Sequence, residues 1–137
     1  QREVILALPQ TFMNDSGTAV LSLMTARGLQ PQNLLVVFDE ADLPLGALRC
    51  RAEGGSGGHN GVKSIIAAVG AAFGRLRIGI GKSLFAGDLQ PHVLGRFTGE
   101  EETLLAPALS RAVEGINLYV QRGMTAAMEF INRKNPS

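Results

Sequence analysis

Apolar and polar positions along the chain alternate between two periods. Val4–Leu8 is an unbroken apolar run closed by Pro9, the pattern of a strand buried on both faces. Asn14, Asp15 and Ser16 are all good helix caps, and Ala19, Val20, Leu23 and Met24 then recur at helical spacing until Gly28. Leu34–Phe38 is a second buried-type strand, followed by the acidic corner Asp39-Glu40-Ala41-Asp42. After the turn Leu43-Pro44-Leu45-Gly46, Ala47–Ala52 alternates arginine with small or apolar residues, as a half-exposed strand would. A glycine-rich loop, Gly54–Gly61, leads into a short helix whose apolar face is Val62, Ile65, Ile66 and Val69, ended by Gly70. Arg75–Ile80 repeats the arginine alternation, with Arg75 and Arg77 set against Leu76 and Ile78. Past a loop reaching Pro91, Thr98 caps a helix starting near Gly99. Its first turn holds Glu100, Glu101 and Glu102, which suit the helix dipole. Its apolar stripe is Leu104, Leu105, Leu109, Val113, Ile116 and Val120. Gly123 breaks it before a last short helix at Thr125–Asn132.

Strands alternating with helices predict a single α/β domain, residues 1–137, around a mostly parallel mixed sheet flanked by helices. With 137 residues, 45% of them hydrophobic and 18% charged, the chain can bury a real core. No run approaches the ~20 apolar residues of a membrane span. The chain opens Gln1-Arg2-Glu3 and reaches core-type sequence within three residues, so we read it as a fragment with its first strand missing. The lone Cys50 excludes an intrachain disulfide, and a reducing cytoplasm is the expected compartment.

The net charge of +1 says little, but its distribution says more. Residues 1–42 carry two basic and five acidic side chains. Residues 43–99 carry seven basic and two acidic ones, and residues 100–137 carry four basic and five acidic. A basic middle third is a candidate phosphate footprint, although an ordinary solvated surface has the same look.

Several familiar signatures fail on inspection. Read from Gly55, the dinucleotide pattern G-x-G-x-x-G puts Asn60 where its third glycine belongs. Gly81-Lys82-Ser83 imitates the end of a phosphate loop, but the glycine required five residues earlier is Leu76. His59 and His92 have no cysteine or carboxylate at metal-ligand spacing, so no zinc site is expected. No G-x-S-x-G nucleophile elbow is present.

Four segments hold polar groups that the α/β pattern leaves unexplained: Thr11-Phe12-Met13-Asn14, Asp39-Glu40-Ala41-Asp42, the Gly54–Gly61 loop with His59-Asn60, and Arg75–Gly81. Ligands of open α/β sheets bind beyond the carboxyl ends of strands, where Asn14, Asp39 and Asn60 are expected. Each has a plainer reading: Asn14 as a helix cap, Asp39 as a turn acid, Asn60 as the cap of the Val62 helix, and Phe12 and Met13 as core.

Together these segments resemble those of bacterial-type peptidyl-tRNA hydrolases. Pro9–Gly17 is similar to P-x-T-[FY]-M-N-x-S-G, and Asp39–Gly46 to D-E-x-D-L-P-x-G. Gly54–Ile65 is similar to G-G-x-G-G-H-N-G-x-K-S-I, Arg75–Gly81 to R-L-R-I-G-I-G, and Val93–Phe97 to V-L-G-x-F. The five motifs run in the family's order over residues 9–97, while residues 98–137 agree only as generic helices. Family members often carry proline soon after R-L-R-I-G-I-G; here Lys82-Ser83-Leu84 follows.

The resemblance implies a phosphorylase/hydrolase-like fold and cleavage of the ester joining a peptide to tRNA, without metal or cofactor. It implies a catalytic histidine in a segment upstream of Gln1, and it places His59 at the family's non-catalytic histidine. Asp39 would orient the upstream histidine. Asn14 and Asn60 would bind the substrate's 3′ end and peptide backbone and polarise the carbonyl. Phe12 and Met13 would form an apolar wall, with His59 beside the substrate. Arg49, Arg51, Lys63 and Arg77 would contact phosphates of the acceptor arm. The partner is peptidyl-tRNA, met by a monomer away from any membrane. The alternative is a non-catalytic RNA-binding relative of the same fold.

Overall fold

The computed structural model describes residues 4–7, 15–81 and 99–133. Among them the order of elements is α1 (Ser16–Arg27), a 3-10 turn (Pro31–Asn33), β1 (Leu35–Glu40), β2 (Leu48–Arg51), α2 (Asn60–Val69), β3 (Gly74–Gly79), α3 (Gly99–Arg122) and α4 (Met124–Arg133). The three strands form one sheet in the order β1-β3-β2. The Gly74 amide donates to the Leu34 carbonyl, and the Ile80 amide donates to the Glu40 carbonyl. That constant offset makes β1 and β3 parallel. Gly79 instead exchanges bonds with Gly46 and Ala47, so β2 runs antiparallel to β3. The α/β class and the mixed sheet stand as expected. Of the two strand pairings among the described residues, one is parallel and one antiparallel.

The β1–β2 connection shows why the sheet turns there. The Ala47 amide donates to the Pro44 carbonyl at 3.0 Å, closing a turn with Gly46 at its third position and φ 92°. Two residues, Gly46 and Ala47, then face the single residue Gly79. This is a bulge whose first position needs a positive φ, hence glycine.

The chain divides into two compact units, residues 1–36 with 51–75, and residues 37–50 with 76–137. In the first unit α1 packs on α2. Their approach is close because Gly17 has no side chain: a Cβ there would collide with the Ser64 carbonyl. The Gly17 amide donates to the Ser64 hydroxyl at 2.8 Å. In the second unit α3 packs on α4, again over a glycine, since a Cβ on Gly115 would strike Ile131. Arg111 on α3 donates to the Ile131 carbonyl at 2.9 Å, satisfying one of α4's last-turn acceptors.

Two expectations are corrected. Residues 4–7, read as part of a buried strand, are not in a strand, and Leu6 is 87% exposed. An apolar run becomes a strand only where a neighbour supplies the ladder, and β1, β2 and β3 pair among themselves. The buried stripe of α3 is also not the one expected. Ala108, Ala112 and Gly115 face inward, while Leu104, Leu109 and Val113 are exposed. Helical spacing finds an apolar stripe, but contact distance decides which stripe is buried, and small residues permit the closer approach.

Candidate functional site

The strand β1 shows how alternation sorts the acidic corner. Phe38 and Glu40 point to one side and are buried; Asp39 between them is exposed. Asp39 and Glu40 are the last two residues of the strand and do not lie beyond it. Glu40, to which the motifs assign no role, meets Arg77 at 3.7 Å. Arg77 also lies over the Phe38 ring, 5.9 Å from its centroid. A buried carboxylate needs such a partner, because its desolvation is otherwise uncompensated. The Asp42 amide donates to the Glu40 carboxylate at 3.4 Å, so this acid also braces the corner past the strand. Strand parity is the signal in the sequence that separates a buried Glu40 from an outward Asp39.

The arginines on β2 and β3 differ in the same way. Leu48 and Cys50 are buried, Arg49 is half-buried and Arg51 is exposed. Arg75 is fully buried, and the Arg77 side chain is only 21% exposed. Arg77 was expected on phosphate. Its guanidinium meets Glu40 and Phe38 and stays partly exposed; Arg49 is half-buried in the same way, and Arg51 and Lys63 are exposed. Lys63 is exposed on α2.

The glycine loop ends at the helix α2. Its cap is His59, not Asn60: the His59 Nδ1 accepts the Val62 N–H at 3.2 Å. That contact uses the ring's lone pair and gives the histidine a structural task. Asn60 is the first residue of α2 and is exposed. Asn60 and His59 belong to the first unit and Asp39 to the second. Phe12, Met13 and Asn14 lie outside the described residues, as do Val93–Phe97 and the segment after Gly81 where the chain departs from the family pattern.

Among the described residues no cluster of three or more His, Cys, Asp or Glu could hold a metal ion, and no helix is long and apolar enough to cross a membrane. Cys50 is 2% exposed, and burial pushes its thiol up to about 11. A thiol so placed is no nucleophile at neutral pH.

Comparison with known proteins places these features in one context. The family model described as peptidyl-tRNA hydrolase matches residues 1–137. The chain is 44% identical over 133 residues to a peptidyl-tRNA hydrolase of Nitratidesulfovibrio vulgaris, covering 96% of this chain and 66% of that protein. It is 44% identical over 135 residues to one from Aquifex aeolicus, covering 98% and 70%. A crystal structure of peptidyl-tRNA hydrolase from Acinetobacter baumannii superimposes with a TM-score of 0.81 at 36% identity, covering 95% of this chain and 66% of that one. The chain thus spans about two-thirds of the length of these relatives. With a family match spanning residues 1–137 and relatives at 44% identity over nearly the whole chain, the assignment follows: the chain belongs to the peptidyl-tRNA hydrolase family.

Proposed function

We propose that the protein hydrolyses the ester between a peptide and the terminal ribose of tRNA, recycling tRNA from aborted translation in the cytoplasm. The observation that supports it most is the exposed Asp39, set at the carboxyl end of β1 within a family match over residues 1–137. Glu40 beside it is buried against Arg77, while Asp39 is exposed.

In this reading Asp39 accepts a hydrogen bond from the upstream histidine that the family resemblance implies. A carboxylate there fixes the imidazole's tautomer and raises its basicity. The imidazole takes a proton from water as that water attacks the ester carbonyl, and the tetrahedral intermediate then expels the ribose oxygen. Asn14 and Asn60 bind the substrate's 3′ end and peptide backbone and stabilise the developing oxyanion. Phe12 and Met13 supply an apolar wall beside them. An ester needs no metal or cofactor for this chemistry. Arg49, Arg51 and Lys63 meet acceptor-arm phosphates, contacts that position the tRNA without reading its sequence. The enzyme acts as a monomer.

The test is release of an N-acylated amino acid from tRNA by the full-length protein, with Asp39→Asn alongside. The reading expects turnover by the parent protein and a large loss in the variant. Binding of tRNA with no release by the parent would favour a non-catalytic RNA-binding role.

A further inference from the structure

The loop before α2 turns on glycine backbone, with its own bonds gathered at Ser56. Gly54, Gly57 and Gly58 have φ of 153°, 59° and 85°. Glycine visits such angles freely, and the same freedom makes ordering it costly. A tie at the start of the loop narrows the paths it can take to Asn60, which follows it directly at the head of α2.

Arg75 does so from below. It lies on β3 and is 0% exposed. Its Nη1 donates to the Gly55 carbonyl at 2.9 Å, and its Nη2 donates to the Ala71 carbonyl at 2.6 Å. Its guanidinium carbon sits 4.2 Å from the centroid of the Phe73 ring. One side chain therefore joins the start of the glycine loop to the turn after α2, with an aromatic face beneath it. The far end of the loop has its own anchor. The His59 amide donates to the Ser56 carbonyl at 3.0 Å, and the His59 ring caps α2. Between the two anchors the Gly58 amide meets the Ser56 hydroxyl at 3.3 Å. A core position alone would not call for a cation, because desolvating a guanidinium is costly. Two diverging carbonyls and a ring face do call for one, and for a planar fork above a point charge. At zero exposure Arg75 is not a phosphate contact.

We propose that Arg75 is a positioning residue: it fixes the glycine loop and, through it, the place of Asn60 against the substrate. The proposal rests on the reading of Asn60 as a substrate-binding residue.

The test uses the full-length protein in four forms: the parent, Arg75→Lys, Asn60→Ala and the double variant. Lysine keeps the charge and stem but cannot span both carbonyls. Arg75→Lys is expected to lower kcat by about 10–100-fold, the scale of a small misplacement near the chemistry. In the Asn60→Ala background it should cost less than about threefold, because the side chain it positions is gone. Amide hydrogen exchange of residues 55–60 should speed up in Arg75→Lys, while that of α3 stays as in the parent. Fully additive losses, or parent-like turnover in Arg75→Lys, would overturn the proposal. If Arg75→Lys does not fold, Phe73→Leu carries the test by withdrawing the ring under the guanidinium. It should show the same exchange change and a smaller kcat loss, and parent-like values in both would overturn the clamp. If the parent itself releases nothing from tRNA, the functional reading fails separately. Exchange then decides the clamp: faster exchange confined to the loop supports it, and unchanged exchange removes it.

Discussion

The carboxamide of Asn132 pairs with both backbone groups of Cys50: its Oδ1 accepts the Cys50 N–H at 2.9 Å and its Nδ2 donates to the Cys50 carbonyl at 2.9 Å. β2 stands last in the order β1-β3-β2, so among the described residues no strand lies beside its outer backbone groups. The side chain from α4 stands in for a neighbouring strand at one residue and ties the helix to the sheet edge. Asn132→Ala removes both bonds and leaves two backbone groups at a buried residue without their partner. Each such group costs ~1–3 kcal/mol. We expect urea unfolding of the full-length protein to show a loss of about 2 kcal/mol or more with an unchanged slope. A loss below about 0.5 kcal/mol, the range of ordinary surface substitutions, would mean that water replaces the carboxamide without penalty.

The same residue gives a second prediction, about its thiol. Burial alone pushes Cys50 up to about 11, because the thiolate loses its hydration there. The folded state thus favours the protonated form. The stability this contributes is fully present below the ordinary value of 9.0 and is lost as pH rises through 11. Iodoacetamide at pH 8 should label native Cys50 far more slowly than the urea-unfolded chain. Equal rates would show that the thiol opens to solvent on the labelling timescale.

The sequence made the class of the fold legible but not all of its burial. Strand alternation in β2 and the helix at α2 follow directly from where apolar residues recur. The α3 stripe does not, since Leu109 and Val113 look better suited to a core than Ala108 and Ala112. Only the nearness of α4, allowed by Gly115, reverses that order. Of the candidate site residues, Asp39 and Asn60 were visible as polar residues at strand and helix ends. Arg75 was not separable from Arg77: two arginines spaced by two give the same pattern whether they face water, a carboxylate or backbone carbonyls. Asn132 had no signal at all, because its partner lies 82 positions away.

Charge on β2 is open to a direct measurement. Arg49 is half-buried and Arg51 exposed, and neither is buried as Cys50 between them is. Neutralising them together in the full-length protein should weaken tRNA binding and flatten its dependence on salt. Each lost phosphate contact lowers the slope of log K against log salt by about 0.7–0.9. An unchanged slope would place both arginines off the tRNA path. Arg77→Gln, by contrast, should act mainly on stability, since it strips Glu40 of its partner.

Asn60 should matter to turnover more than to folding. It is exposed at the first position of α2, and the cap of that helix is His59, so removing its carboxamide breaks no cap. Loss of one transition-state donor costs ~10²–10³-fold in comparable sites. Asn60→Ala, and Asn14→Ala with it, should lower peptidyl-tRNA turnover on that scale while leaving the urea midpoint within error. Near-normal turnover in both would remove them from the site.

The general base gives the sharpest contrast. The family resemblance implies a histidine in a segment upstream of the first motif, and residues 1–137 span about two-thirds of the relatives' length. Within these residues His59 is the histidine beside Asn60, and its Nδ1 is occupied in accepting the Val62 N–H. Recruiting that nitrogen as a base would uncap α2, at a typical cost of about 1 kcal/mol. A positioned base contributes ~10²–10⁴-fold over unassisted water attack. Residues 1–137 alone should therefore release an N-acylated amino acid from tRNA more slowly, by about that factor, than the same residues joined to the upstream segment. His59→Gln in the longer protein should keep most of its turnover, since glutamine can still accept at the cap. Equal rates from the short and long chains, together with collapse of turnover in His59→Gln, would move the base to His59 and leave Asp39 without a histidine to orient.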